Sequence, residues 1–227
     1  MSKSGLLKTS IARKVAMALS ALFLMLFLLQ HFAINFTSVI SSDTFNNASH
    51  FMGTNGLIQY VMQPILTIGI IFHFMMGFVL EIQNKKARSV KYVKYNGNAS
   101  ASWMSRNMIF SGLVILAFMG LHFYDFWFPE MKTKFIDGDW SGVLEGETGF
   151  RYFKELQHKF QDPIRVGLYC LSFVFLALHL LHGFSSSFQS VGFNNKYTPA
   201  LKKLGVAYAI LVPLGFVFIA LFHHFNH

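Results

Sequence analysis

The sequence predicts an all-α fold, a bundle of helices that crosses a membrane several times. Hydrophobic residues make up 53% of the 227-residue chain and charged residues only 13%, whereas water-soluble domains are about a quarter charged. The apolar residues fall in five long runs that are nearly free of charge, and each run is long enough to span a bilayer as a helix. We therefore expect a polytopic membrane helical bundle that forms one domain over residues 1–227.

Each apolar run predicts one transmembrane helix. The runs contain 22 to 26 residues, enough for roughly 30 Å of hydrocarbon at about 1.5 Å per residue. We expect the first to be retained rather than cleaved as a signal peptide, because no small-residue cleavage site accompanies it. Pro64 and Pro213 lie inside spans and are expected to bend them. The predicted spans cover about residues 15–39, 57–82, 107–128, 163–186 and 204–225.

The basic residues predict the orientation of the bundle. Thirteen of the nineteen lysines and arginines lie before the first span, between the second and third, or between the fourth and fifth. The only acidic residue on that side is Glu81. The positive-inside rule then places the N-terminus in the cytoplasm and the C-terminus outside. The net charge of +9 is thereby explained by topology, without a nucleic-acid partner. The connection over residues 129–162 is expected to form an external cap.

Four of the ten histidines lie deep inside four different spans. His31 and His122 stand 16 residues from the basic edge, roughly 24 Å in, and we call them the outer pair. His73 and His179 stand 8 and 7 residues from that edge, roughly 11 Å in, and we call them the inner pair. The two layers are thus about 13 Å apart. Ionisable groups at such depth are costly and usually functional. The remaining span-end histidines, His223, His224 and His227, are interpreted as a polar interfacial tip.

Two imidazoles at one depth on opposite helices match the axial ligands of a low-spin b-type haem, with no position left open for oxygen. Glycines four residues from the inner histidines, Gly69, Gly77 and Gly183, are expected to leave room for a porphyrin. Cross-helix hydrogen bonding is the alternative interpretation. A zinc or copper site needs three or four ligands at one depth, and a histidine proton relay here lacks an accompanying intramembrane carboxylate. His182 competes with His179 as a ligand, or bonds a haem propionate.

Three sequence features together resemble one known family. They are Ser10-Ile11-Ala12-Arg13-Lys14 before the first span, the four span histidines, and His179-Leu180-Leu181-His182-Gly183 followed nine residues later by Gly192. With these features, nearly the whole chain resembles the cytochrome b membrane-anchor subunit of succinate dehydrogenase and fumarate reductase (succinate:quinone oxidoreductase), of the five-helix, two-haem b558 type. The H-x-x-x-G pattern recurs at the inner ligand of that family, which favours His179 over His182.

This resemblance implies two haem b groups, with His31 and His122 binding the outer iron and His73 and His179 the inner one. It implies an electron-transfer subunit of an enzyme complex, working with a flavoprotein that carries FAD and with an iron–sulfur subunit that docks on the basic face. The chain itself has one cysteine and no dinucleotide-binding motif, so neither Fe–S clusters nor dicarboxylate chemistry belong to it. The implied location is the bacterial inner membrane, the implied substrate is menaquinone or another quinone, and a dimer of the complex is left open.

Further site residues are expected at the two ends of the spans. Haem propionates need cationic or hydrogen-bonding partners, and the candidates are Arg13, Trp103, Arg106, Gln189 and His182. The quinone site is expected near the outer haem, with Asp43, His50 and Asp125 as candidates. Two alternatives stay open, the cytochrome b anchor of another quinone-linked dehydrogenase and a haem-free transporter or channel subunit.

Overall fold

The computed structural model describes residues 9–87, 107–144 and 149–226. Five helical runs in this part of the chain are long and apolar enough to cross a membrane, which confirms the predicted all-α polytopic bundle. The only β pairing among the described residues is an isolated bridge between Val143 and Phe150. The described α-helices are α1 (Ser10–Ile40), α2 (Ser42–Thr54), α3 (Gln63–Ala87), α4 (Met108–His122), α5 (Phe128–Phe135), α6 (Tyr152–Lys159), α7 (Pro163–Ser190) and α8 (Thr198–Phe225).

The helical run of the third span is longer than predicted. The predicted span ends at Phe128, but the run continues through a π-helical turn and α5 as far as Phe135. Pro129 lies inside this run, where its ring would clash with the carbonyl group four residues earlier in a regular α-helix. The π turn, Phe123–Trp127, comes directly before it and bonds the Phe128 N–H to the Phe123 carbonyl, five residues back. The wider turn accommodates the proline, so the helix does not end there.

The second span uses the same device. A π turn at Ile58–Met62 leads into α3, and the Gln63 N–H bonds to the Ile58 carbonyl immediately before Pro64. Together with α3 it forms one run from Ile58 to Lys86 that is long enough to cross a membrane. Both π turns therefore lie directly before a proline that a regular α-helical turn would exclude.

Four of the long helices form a ring. α1 and α4 each pack against both α3 and α7, whereas the diagonally opposite helices, α1 with α4 and α3 with α7, share no extended packing in the described part of the chain. α8 lies outside the ring, against α7 and α1. We call the end of the ring that contains the start of α1 and the end of α3 the basic end, and the opposite end the cap end. Side chains that enter the ring from diagonal helices can meet at its centre.

Polar contacts attach α8 to α1. The Tyr208 hydroxyl donates to the Met25 carbonyl at 2.6 Å, and His223 Nε2 lies 2.8 Å from Ser38 Oγ. His223 is 1% exposed, so its interpretation as part of a polar interfacial tip is wrong. The sequence pattern does not show that α1 and α6 cover this end of α8. His224 bonds the Phe160 carbonyl through Nδ1 at 2.9 Å, and His227 lies outside the described residues.

A network of ion pairs closes the cap end. Lys134 is 2% exposed, and its Nζ lies 2.5 Å from both Glu130 Oε1 and the Gly53 carbonyl oxygen. Arg151 pairs with Glu130 and contacts both carboxylate oxygens of Glu155, at 2.7 and 2.8 Å. Burial opposes the Arg151 charge, but the hydrogen bonds and charges of Glu155 and Glu130 outweigh it and raise the pKa of this guanidinium. The network links α2, α5 and α6, none of which the sequence analysis predicted as a helix.

Candidate functional site

The outer pair meets across one diagonal of the ring. His31 enters from α1 and His122 from α4, and their ring centroids are 5.7 Å apart with the planes at 87°. Aromatic side chains flank both imidazoles. Phe27 stacks on His31 at 5.5 Å and Phe118 on His122 at 5.8 Å. The two histidines that were paired by depth in the sequence therefore lie side by side in the structure.

The inner pair meets across the other diagonal. His73 enters from α3 and His179 from α7, with ring centroids 6.3 Å apart and planes at 67°. His182 also lies on α7 and is half-buried, but no ring contact joins it to His73 among the described residues. The geometry thus pairs His73 with His179 rather than with His182. All four helices of the ring carry one paired histidine, and the two layers use alternate diagonals.

Both separations suit an iron held between two imidazoles. Metal–nitrogen bonds of roughly 2 Å on either side place two histidine ring centroids about 6.3 Å apart. The centroid distance of the inner pair, 6.3 Å, equals this value. That of the outer pair, 5.7 Å, is slightly shorter, and a small side-chain adjustment would make up the difference. Among the described residues no group of three or more His, Cys, Asp or Glu side chains could hold a metal ion. The donor set of each layer is therefore a pair of imidazoles, which fits axial ligation of a haem.

Two serines contact the inner histidines and were not predicted from the sequence. Ser20 Oγ lies 3.1 Å from His73 Nδ1, and Ser111 Oγ lies 3.2 Å from His179 Nδ1. Ser20 belongs to α1 and Ser111 to α4, the two helices that give no histidine to this layer. A depth count could have found them, since each is an isolated polar residue in an apolar run at the level of the inner pair.

The outer histidines have weaker polar partners. His31 Nε2 lies 3.4 Å from Asn35 Nδ2, and the same amide nitrogen donates to the His31 carbonyl at 2.8 Å. His122 Nδ1 is buried and has no hydrogen-bond partner among the described residues. A buried polar atom of this kind calls for an explanation, and here it lies on an imidazole that faces a second imidazole.

The three glycines near the inner pair face neighbouring helices. A Cβ added at Gly69 would come within 3.1 Å of the Phe23 ring, one at Gly183 within 3.5 Å of Met108, and one at Gly77 within 3.8 Å of Met17. Their direct effect is therefore to let α3 approach α1 and α7 approach α4 closely. The expectation that these glycines leave room for a porphyrin stays a prediction, since the nearest side chains beside them are one phenylalanine and two adaptable methionines.

The propionate candidates are distributed unevenly. Arg13 lies seven residues before Ser20, on the same face of α1 and about 10.5 Å nearer the basic end. Its Nε is buried without a partner among the described residues, which suits a role toward an anionic group in the ring. Gln189 is exposed and borders a small pocket with Thr198 and Lys202 of α8, outside the ring. Trp103 and Arg106 lie outside the described residues.

Asp125 is the most buried of the quinone candidates. Its side chain is fully enclosed, and Tyr169 Oη donates to Oδ2 at 2.9 Å while Arg165 Nε lies 3.1 Å from the same oxygen. Oδ1 is buried with no partner among the described residues. Asp125 borders an open cleft of about 400 Å³ that Glu155, His158 and Lys159 also line. The Tyr169 ring is in turn 6.5 Å from the His122 ring, so Tyr169 lies between the Asp125 carboxylate and the outer pair and contacts both.

The other two quinone candidates lie elsewhere in the cap. His50 stacks on Phe150 at 3.9 Å, and its Nδ1 is 3.4 Å from the Tyr152 hydroxyl. Burial and the nearby Glu130 charge raise the pKa of Tyr152 to about 12. Gly142, with φ of 68°, packs so closely here that a Cβ would lie 2.7 Å from the Tyr152 hydroxyl. Asp43 is exposed in the first turn of α2. The described contacts do not bring Asp43, His50 and Asp125 into one site.

The fold and these side chains define a five-span helical membrane protein with two buried histidine pairs on alternate diagonals of a four-helix ring. Comparison with known proteins adds no family to this description, since no family model, curated protein or solved structure matches the chain.

Proposed function

We propose that the chain is a dihaem cytochrome b that anchors a quinone-linked dehydrogenase in the membrane. The observation that carries this proposal is the arrangement of the four histidines. Two imidazole pairs face each other across alternate diagonals, at separations that suit bis-histidine ligation of one iron each. Cross-helix hydrogen bonding accounts for Nδ1 of His73 and His179, which contact serines of neighbouring helices, but it does not account for the meeting of two imidazoles in each layer.

His31 and His122 would hold the outer haem, and His73 and His179 the inner one. When bound, each haem would supply a one-electron redox couple. The protein orients the imidazoles, excludes water with rings such as Phe27 and Phe118, and offers Arg13 to a propionate near the basic end. The four ligands come from four helices, so the ring itself sets the two layers.

The resemblance noted in the sequence supports a particular member of this class, the membrane anchor of succinate:quinone oxidoreductase. On this proposal a flavoprotein with FAD and an iron–sulfur subunit dock at the basic end, and electrons pass between that end and a menaquinone or another quinone near the outer pair. The expected location is the bacterial inner membrane, with the basic end in the cytoplasm. The lysines Lys196, Lys202 and Lys203 lie at that end, and a basic surface there suits an acidic docking partner.

Asp125 is the residue we propose for proton exchange with the quinone. Oxidation of a quinol releases two protons, and a carboxylate that borders a cleft can accept one of them. Asp125 Oδ1 has no partner among the described residues, whereas Oδ2 is bonded to Tyr169 and Arg165. Asp43 and His50 lack such a position relative to the outer pair.

A reduced-minus-oxidised spectrum of the purified chain tests the proposal. We expect a b-type α band and about two haems per chain, as two bis-histidine sites require. The absence of a Soret band would contradict it and would favour the haem-free transporter or channel subunit. Co-purification with a flavoprotein that oxidises succinate then separates the succinate:quinone oxidoreductase anchor from the cytochrome b anchor of another quinone-linked dehydrogenase.

A further inference from the structure

We propose that Ser20 and Ser111 hold both imidazoles of the inner pair in the tautomer with the proton on Nδ1. This leaves the two Nε2 atoms free to bind iron. The inference rests on the proposed function, because it assigns two positioning residues to the inner haem. The two serines contact the imidazoles of His73 and His179 and would not contact the iron itself.

Hydrogen-bond accounting supports the tautomer. A serine hydroxyl has one proton to donate. Ser20 Oγ donates it to the Met17 carbonyl at 2.8 Å, in its own helix, so the contact to His73 Nδ1 at 3.1 Å needs its proton from the imidazole. Nδ1 of His73 is therefore the donor, and Nε2 keeps its lone pair.

The second serine repeats this arrangement on the other side of the ring. Ser111 Oγ donates to the Met108 carbonyl at 2.9 Å and lies 3.2 Å from His179 Nδ1. Ser111 is only 6% exposed, so its hydroxyl has little access to water as an alternative partner. Two independent serines on two helices thus fix the same tautomer of the two facing imidazoles.

The expected consequence is a stronger and better-oriented ligand pair. A hydrogen bond from the distal ring nitrogen of a metal-bound histidine fixes the ring orientation and raises the ligand's basicity. A more basic imidazole stabilises ferric over ferrous iron and so lowers the reduction potential. The outer pair has no serine in either position, since His31 faces Asn35 and His122 Nδ1 has no partner among the described residues. The two haems should therefore respond differently when serines are removed.

The test is a redox titration of the complete complex, followed through the separate α-band components of the two haems. We expect Ser20→Ala and Ser111→Ala each to raise the reduced-to-oxidised ratio of the inner haem about three- to tenfold at a fixed ambient potential. At 59 mV per tenfold, this is a positive shift of roughly 30–60 mV. The outer haem should keep its potential. Ser111→Thr, which retains the hydroxyl, should restore the inner potential.

Ser187→Ala is the matched control. Ser187 is also a buried span serine, and its hydroxyl also donates to a carbonyl of its own helix, that of Gly183, at 2.8 Å. No imidazole contact is described for it. Selective loss of the inner haem in Ser20→Ala or Ser111→Ala, reversed by threonine, would also support the proposal. Two haems with unchanged potentials in both alanine variants would overturn it and leave the proposed function standing, whereas a wild-type chain without haem would overturn both.

Discussion

The inner and outer histidine pairs have the same donor set but different surroundings. Each inner imidazole contacts a serine hydroxyl from a neighbouring helix, at 3.1 and 3.2 Å. The outer imidazoles instead contact aromatic rings, and one of them leaves Nδ1 unpaired among the described residues. The difference teaches that one pair of imidazoles can be placed in two different environments within one bundle. Polar neighbours orient the inner pair, and apolar neighbours that exclude water surround the outer pair.

The position of charge reinforces this contrast. Asp125 and Arg165 lie beyond the outer pair and reach it through Tyr169. On the basic side of the inner pair, Arg13 lies on the same face of α1 as Ser20 and about 10.5 Å from its level. The outer pair thus has a carboxylate within reach through Tyr169, and the proposed quinone chemistry would take place at the cap end.

Removal of a histidine should produce the largest effect and break the pairing most directly. We expect His31→Ala and His122→Ala each to abolish the outer haem and spare the inner one, so that the content falls from about two haems to about one per chain. His73→Ala and His179→Ala should remove only the inner haem. Spectra and haem content of the four variants check this. His224→Ala, which removes a histidine outside the ring, serves as the control. Loss of the inner haem in His31→Ala would disprove the pairing by depth.

Neutralisation of Asp125 should affect the outer end alone. In Asp125→Asn we expect both haems and their spectra to remain, but quinol-dependent reduction of the haems to slow by roughly 100-fold, because a proton acceptor is lost. Stopped-flow reduction by a soluble quinol measures this rate. The control Asp137→Asn removes an exposed cap-end carboxylate that pairs with Lys132. Equal slowing in both variants would assign the effect to surface charge rather than to Asp125.

Asn35→Ala should produce the smallest effect and sharpens the contrast between the pairs. The contact of Asn35 with His31 is 3.4 Å long and comes from the same helix, and hydrogen bonds at that distance are weak. We therefore expect the reduced-to-oxidised ratio of the outer haem to change less than about twofold at fixed potential. A potentiometric titration beside the serine variants checks this. A shift as large as theirs would show that both pairs are tuned by polar neighbours.

The sequence predicts which histidines meet, since each residue of a helix adds a fixed rise and the basic residues mark a common edge. It does not predict how the helices are ordered around the ring, and so it does not reveal that Ser20 reaches His73 or that Ser111 reaches His179. Those contacts depend on the rotation of each helix about its axis, which the nearly uniform apolar composition of the spans leaves undetermined.

The cap end was the least predictable part. A proline inside a helical pattern usually marks the end of the helix. At Pro129 the preceding π turn instead allows the helical run to continue to Phe135. Lys134 is a buried lysine whose partners are Glu130, one turn earlier in α5, and the Gly53 carbonyl of α2, and no local pattern expresses the second of these contacts. The environment of Asp125 is hidden for the same reason, since Arg165 and Tyr169 lie on a different helix.

Lys134 has a chemical consequence at the surface of the molecule. Its ammonium group donates a hydrogen bond to a carbonyl in the last turn of α2 and pairs with Glu130, whose other oxygen pairs with Arg151 at the start of α6. The Glu130 carboxylate thereby links three segments of the cap end. Lys132, two residues away, has a side chain that is 66% exposed, against 2% for Lys134. Acylating reagents and trypsin will therefore distinguish two lysines that are close neighbours in the chain, and the slow reaction of Lys134 reports that the ion-pair network is intact.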